Sequence, residues 1–97
     1  MRTMMRITIP VEQGNKAIKD GSLPEIVQSV LRDLKPEAAY FGAFEGRRTG
    51  FIFFDLKDSS DLPRIAEPLF SGFNAAVEFC PMMNAEDLKA GLEKAKQ

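Results

Sequence analysis

The stretch Gly46-Arg47-Arg48-Thr49-Gly50-Phe51-Ile52-Phe53-Phe54-Asp55-Leu56 decides how this chain is read. In an extended strand successive side chains point to opposite faces. Phe51 and Phe53 therefore lie on one side, and Ile52, Phe54 and Leu56 on the other. A strand with one face in water should alternate apolar and polar residues, and this one is apolar on both. Both faces of its sheet must be covered, and the second cover has to be found.

Working outward, Glu37 to Phe44 is a strand-like run that meets Thr49 to Leu56 through the loop Glu45-Gly46-Arg47-Arg48. The expected register makes Phe44 the partner of Thr49 and sets Gly42 opposite Phe51, whose ring can cover it. Tyr40, Gly42, Phe44, Thr49, Phe51, Phe53 and Asp55 then share one face. Upstream, Thr3 to Val11 alternates, with Met5, Ile7, Ile9 and Val11 against Met4, Arg6 and Thr8, as a half-buried strand does. Glu12 to Gly21 is polar and reads as a helical turn or loop. Ser22-Leu23-Pro24-Glu25 has capping-box spacing, Leu23, Ile26, Val27, Val30, Leu31 and Leu34 form an apolar stripe, and Pro36 stops the helix.

Downstream, Asp58-Ser59-Ser60-Asp61 offers caps for a second helix with Leu62, Ile65, Ala66, Leu69, Phe70 and Phe73 at helical spacing. Pro68 is expected to kink or split it, and Gly72 to end it. Ala75 to Met82 is a fourth strand, with Val77 and Phe79 on one face and Glu78, Cys80 and Met82 on the other. Asn84 caps a short last helix whose Leu88 and Leu92 can dock on the body. The order βαββαβ plus one helix is the split-βαβ, ferredoxin-like pattern of the α+β class. Its four-stranded antiparallel sheet runs 4-1-3-2, with helices on one face and the other face open.

Composition bounds the function. Ninety-seven residues form one domain, residues 1–97, with a single core. A net charge of −1 and a pI near 5.4 leave no basic surplus for phosphate contacts, so no nucleic acid is expected as partner. The start MRTMMRITIPV has no apolar run of signal-peptide length and no segment could span a bilayer, so a cytoplasmic location without membrane attachment is expected. One cysteine, Cys80, and no histidine exclude an internal disulfide and remove the commonest metal ligand and general base. No cofactor or metal is expected.

The open face carries Met4, Arg6, Thr8, Tyr40, Phe44, Phe51, Phe53, Asp55, Glu78, Cys80 and Met82. Its aromatic patch is too large to stay wet. RNA-recognition motifs share this element order and stack bases on the two central strands. Here Arg48 and Thr49 stand where that pattern wants a glycine and a stacking ring, and the first strand offers only Thr8. One ring of about three remains of the stacking platform, and the charge is wrong for RNA.

A second copy of the same sheet is the better cover. The element order, Gly46–Phe70 (GRRTGFIFFDLKDSSDLPRIAEPLF) and Phe73–Leu92 (FNAAVEFCPMMNAEDLKAGL) resemble the dimeric α/β-barrel superfamily. That group includes muconolactone isomerase, antibiotic-biosynthesis-type monooxygenases and many uncharacterised bacterial proteins. The resemblance implies a homodimer with two sheets face to face, and a small apolar or aromatic ligand held beside the open face or between sheet and helices. It carries no catalytic motif.

The candidate ligand-binding residues are Arg6, Tyr40, Phe51, Phe53, Asp55, Glu78 and Cys80. Arg6 and Glu78 on neighbouring strands can form an ion pair or anchor a ligand. Asp55 can accept a proton if desolvated, or simply end its strand. Tyr40 can orient a substrate or pack an interface. Cys80 has only Arg6 as a cationic neighbour. Arg47 and Arg48 at the hairpin tip can grip an anion or a partner's carboxylate, with a solvated turn as the ordinary explanation. No set commits the chain to one reaction. A ligand-binding homodimer, a cofactor-free isomerase or monooxygenase-like enzyme, and a purely structural interaction domain all remain open.

Overall fold

A computed structural model describes residues 1–96. It is α+β: β1 (Arg2–Ile9), α1 (Val11–Asp20), α2 (Ser22–Leu34), β2 (Ala38–Phe44), β3 (Arg47–Asp55), α3 (Leu62–Phe73), β4 (Ala76–Pro81) and α4 (Ala85–Lys94). The four strands form one antiparallel sheet in the order β2-β3-β1-β4, which read from its other edge is 4-1-3-2. The segment between β1 and β2 holds two helices rather than one. Glu12 to Gly21, expected as a helical turn or loop, falls almost wholly in a ten-residue helix, Val11–Asp20, whose Gly14 and Ala17 are buried, and Val11, expected in the strand, begins it. Val11 leaves the strand for this helix because Pro10, lacking an amide hydrogen, cannot extend the ladder and stands at the helix start.

Side-chain alternation reads directly as burial. Along β1 the residues Thr3, Met5, Ile7 and Ile9 are buried while their neighbours are half-buried. Met5, Ile7, Ile9, Ile52, Phe54 and Leu56 join Ile65, Leu69 and Phe73 of α3 in one core beneath the helices.

The hairpin register differs from expectation by two residues. Phe44 pairs with Arg47, Gly42 with Thr49 and Tyr40 with Phe51, so Gly42 is not opposite Phe51. Glu45 and Gly46 alone make the turn, both with positive φ (54° and 76°), the backbone a two-residue hairpin demands and glycine takes at least cost. A slip of two leaves every side chain on its assigned face. The ring that covers a glycine is Phe41, lying across Gly50 on the helix side, where an added Cβ would come within 3.1 Å of it.

Helix ends depart from expectation in informative ways. No capping box forms at Ser22: Gly21 precedes α2, and the Ser22 amide donates instead to Asp20 Oδ1 at 2.9 Å. Asp58 caps a short 3-10 turn, Ser59–Asp61, rather than α3 itself. Helix α3 runs unbroken through Pro68, which lies on its exposed side, and past Gly72 to stop at Asn74 with φ 52°. Asn84 does cap α4, in a reciprocal box with Asp87. Yet α4 does not dock as expected: Leu88 and Leu92 remain 46% and 60% exposed. The molecule is accordingly elongated, 54 × 27 × 19 Å. Its radius of gyration of 15.3 Å exceeds the roughly 12–13 Å of a compact chain this long. No helix among the described residues is long and apolar enough to cross a membrane.

Candidate functional site

The seven residues singled out from sequence share the open face of the sheet, as the strand registers require. Arg6 and Glu78 are direct cross-strand partners, and the guanidinium donates to Glu78 Oε1 from Nε at 2.8 Å and approaches it from Nη2 at 2.7 Å. The same guanidinium lies 5.8 Å from the centre of the Phe44 ring, which meets Phe51 edge-on, also at 5.8 Å. These contacts fit cation–π and T-shaped aromatic geometry. Tyr40 and Phe44 are 65% and 47% exposed, whereas Phe51 and Phe53 are half-buried. Cys80 is exposed beside Met4 and points its thiol at the Pro81 carbonyl, 3.4 Å away.

Asp55 stands apart at the end of β3. Lys57, through a 2.6 Å hydrogen bond, and the N-terminal ammonium, also at 2.6 Å, hold its carboxyl down at about 2. A general base near neutral pH needs a carboxylate shifted upward. The shift here is downward, so Asp55 is an anchor for two cations rather than a proton acceptor.

The apolar hollow lies on the opposite side of the sheet. Between the helix-facing surface of β1, β2 and β3 and the stripe of α2 is a cavity of about 340 Å³. Ile7, Ile9 and Ile52 form its floor, Phe41 one side, and Leu23, Ile26, Val27 and Val30 its roof. None of the seven open-face candidates lines it. Its size falls in the usual range for small-molecule pockets, which are mostly apolar with a few placed polar groups.

Local causes of the cavity can be named. One short residue lies in the strand surface lining the cavity: Gly50 faces the helices, in the same parity as Phe41, Arg48 and Ile52. Not one residue of α2 is fully buried, although its apolar stripe is continuous. The helix is held at its start by Gly21 and at its end by Lys35, which takes a left-handed φ of 45° and donates its amide to Leu31 O.

Arg48 lines the cavity as its one ionisable side chain. It is half-buried, pairs with Ile9 across the ladder, and points to the helix layer. There its guanidinium donates to Asn15 Oδ1 at 3.2 Å and, at 3.5 Å, to Val11 O of α1. Sequence reading placed Arg48 at a hairpin tip. The signal that it turns inward was its parity: Arg48 falls in step with Gly50, Ile52 and Phe54, and the tight Glu45-Gly46 turn puts it within the strand.

A second hollow, of about 510 Å³, lies at the end of the sheet where Arg2 bridges Glu37 (2.6 Å) and Asp87 (3.2 Å). Its wall mixes those charged groups with Met1, Pro81, Met82 and Met83, and Asp55 is the single open-face candidate on it. No family model and no curated protein matches the chain.

Proposed function

We propose that this protein is a ligand-binding homodimer of the dimeric α/β-barrel type, built on a ferredoxin-like protomer, in which the open sheet faces pack together and each protomer holds a small apolar molecule between sheet and α2. The observation that carries the reading is the apolar cavity of about 340 Å³. Exposed Tyr40 and Phe44 on the open face support the dimer, because large aromatic side chains left in water forgo roughly 1.5–3 kcal/mol each. Small size, the four-stranded antiparallel order and the one-sided helix layer support the fold assignment.

The enzyme alternative fares less well on the same geometry. An isomerase- or monooxygenase-like reaction needs a proton donor or acceptor against the substrate. Arg48 is the one ionisable side chain on the cavity wall and, as a guanidinium, it has no lone pair with which to accept a proton; Thr49, in step with Phe51, carries its hydroxyl on the other sheet face, where it donates to Arg47 O.

The test uses N-phenyl-1-naphthylamine, a neutral apolar dye that fluoresces when shielded from water. Wild-type protein is expected to enhance it, and Val27→Phe, which fills the roof of the cavity, to abolish the enhancement while remaining folded. Equal enhancement by Val27→Phe would place the dye elsewhere and sink the cavity reading. Light scattering at micromolar concentration tests the dimer, with Phe51→Glu expected to give a folded monomer because it sets a second carboxylate, beside an Arg6 already paired with Glu78, in the packed open face.

A further inference from the structure

Three arginines are half-buried: Arg2, Arg6 and Arg48. Arg2 lies against Glu37 and Asp87, and Arg6 against Glu78. Among the described residues Arg48 has no carboxylate within 4 Å, and its two protein acceptors are a neutral amide oxygen and a backbone carbonyl, the latter at 3.5 Å. A guanidinium carries five N–H donors in a fixed fork, so these contacts leave donors unspent. A charge drawn partly out of water without a counter-charge is costly, and that cost is recovered when an anion arrives.

The seat for this guanidinium is shaped in α1. Gly14 is buried there, and a Cβ at that position would fall 2.5 Å from Arg48 Nη1 and 3.2 Å from its Cδ. The absence of a side chain at Gly14 lets the arginine lie along α1, with its head against Val11 O and Asn15, while the same residue lines the apolar cavity. A permanent cation at one end and Ile7, Ile26, Val30 and Ile52 along the walls describe a site with one polar pole.

We infer that the cavity between the sheet and α2 takes an apolar monocarboxylate, a medium-length aliphatic or arylalkanoic acid whose carboxylate meets Arg48 and whose hydrocarbon part lies along Ile7, Ile52 and the α2 stripe. This inference rests on the cavity reading above and adds the charge of the ligand. Arginine matches a carboxylate with two parallel N–H···O bonds, the strongest neutral-pH pairing open to this cavity. The limited volume selects against bulky polycyclic acids, and the single cation against dicarboxylates.

The probes are decanoate and 1-decanol, which share a chain and differ in the head group, titrated calorimetrically into the 97-residue protein. Wild type is expected to bind decanoate about ten- to a hundredfold more tightly than decanol, the range set by charge-assisted hydrogen bonds. Arg48→Gln should bring that ratio close to one. Gly14→Ala, whose new methyl displaces the guanidinium while favouring the helix, should lower the ratio in the same direction and decides the matter if Arg48→Gln fails to fold. If wild type binds both probes equally, the anion assignment is overturned and the apolar cavity stands. If it binds neither, both fall together. A decanoate preference that survives in Arg48→Gln and Gly14→Ala overturns the role of Arg48. Loss of self-association in Arg48→Gln, with no decanoate binding by wild type, identifies a carboxylate of a second copy as the counter-ion and likewise overturns the inference.

Discussion

Helices α2 and α3 cover the same sheet with similar apolar stripes, and only one of them closes on it. Helix α3 buries Ile65, Ala66, Leu69 and Phe73 in the core. Helix α2 places Leu23, Ile26, Val30 and Leu34 at the margin of that core, each partly exposed. The difference lies in what each helix meets. Large residues, Met5, Phe54 and Leu56 among them, fill the closed core that α3 joins, while under α2 the sheet presents Gly50, with no side chain to reach the helix, beside Ile7, Ile9 and Ile52. An amphipathic stripe shows that a helix has an inner face, and the opposite surface determines whether that face is filled.

The largest expected effect comes from the core floor. Phe54, 2% exposed, becomes an unpaired buried carboxylate in Phe54→Glu, and the chain should lose its cooperative unfolding transition. A folded, cooperative Phe54→Glu protein would show that the core is elsewhere. Next, Phe73→Ala in α3 should cost about 3–5 kcal/mol in urea denaturation, from lost transfer energy plus an unfilled cavity.

Against that, Ile26→Ala in α2 should cost less than about 1.5 kcal/mol, because its side chain is half-buried beside space that already exists. Equal losses at Ile26 and Phe73 would abolish the contrast between the two helices and mean that α2 closes on the sheet in solution.

The smallest effect lies outside both helices, at Asp55. Its folded-state pKa of about 2 is depressed below the ordinary 3.8, so its contribution to stability is present above that ordinary value and is lost as pH falls toward 2. Thermal melts of wild type and Asp55→Asn should differ near pH 5 and converge as acid protonates the carboxylate. The group is exposed, so solvent screening keeps the gap small. A gap that widens in acid would reverse the sign of this argument. The contrast between α2 and α3 variants should survive in the Asp55→Asn background, since the site touches neither helix.

Much of this architecture was legible in the residues. Alternation in β1 and β3 separated the two sheet faces, and element order gave the strand order together with the proximity of Arg6 and Glu78. The α1 helix was missed because its stripe is thin, with Gly14 and Ala17 as its buried residues, small side chains that carry little periodic signal. The Ser22 cap was misread because Asp20 competes for the amide that a box would have used. The hairpin was read two residues out because a period of two cannot distinguish registers that differ by two.

By itself, then, the sequence determined which side of each strand faces the helices, the four-stranded order, and the aromatic character of the open face. Those properties follow from local periodicity and chain connectivity. What needed the assembled fold was the seat of Arg48 against Gly14 and Asn15 of α1, the apolar cavity under α2, and the exposure of Leu88 and Leu92 on α4. Each of these depends on volumes contributed by residues distant in the chain: Gly14 receiving Arg48, Gly50 failing to reach α2, and Leu88 and Leu92 left 46% and 60% exposed. A pattern of hydrophobicity records the sign of burial at each position. Whether the facing side chains fill the space between them is a sum over the whole fold, and that sum is settled only when the layers are brought together.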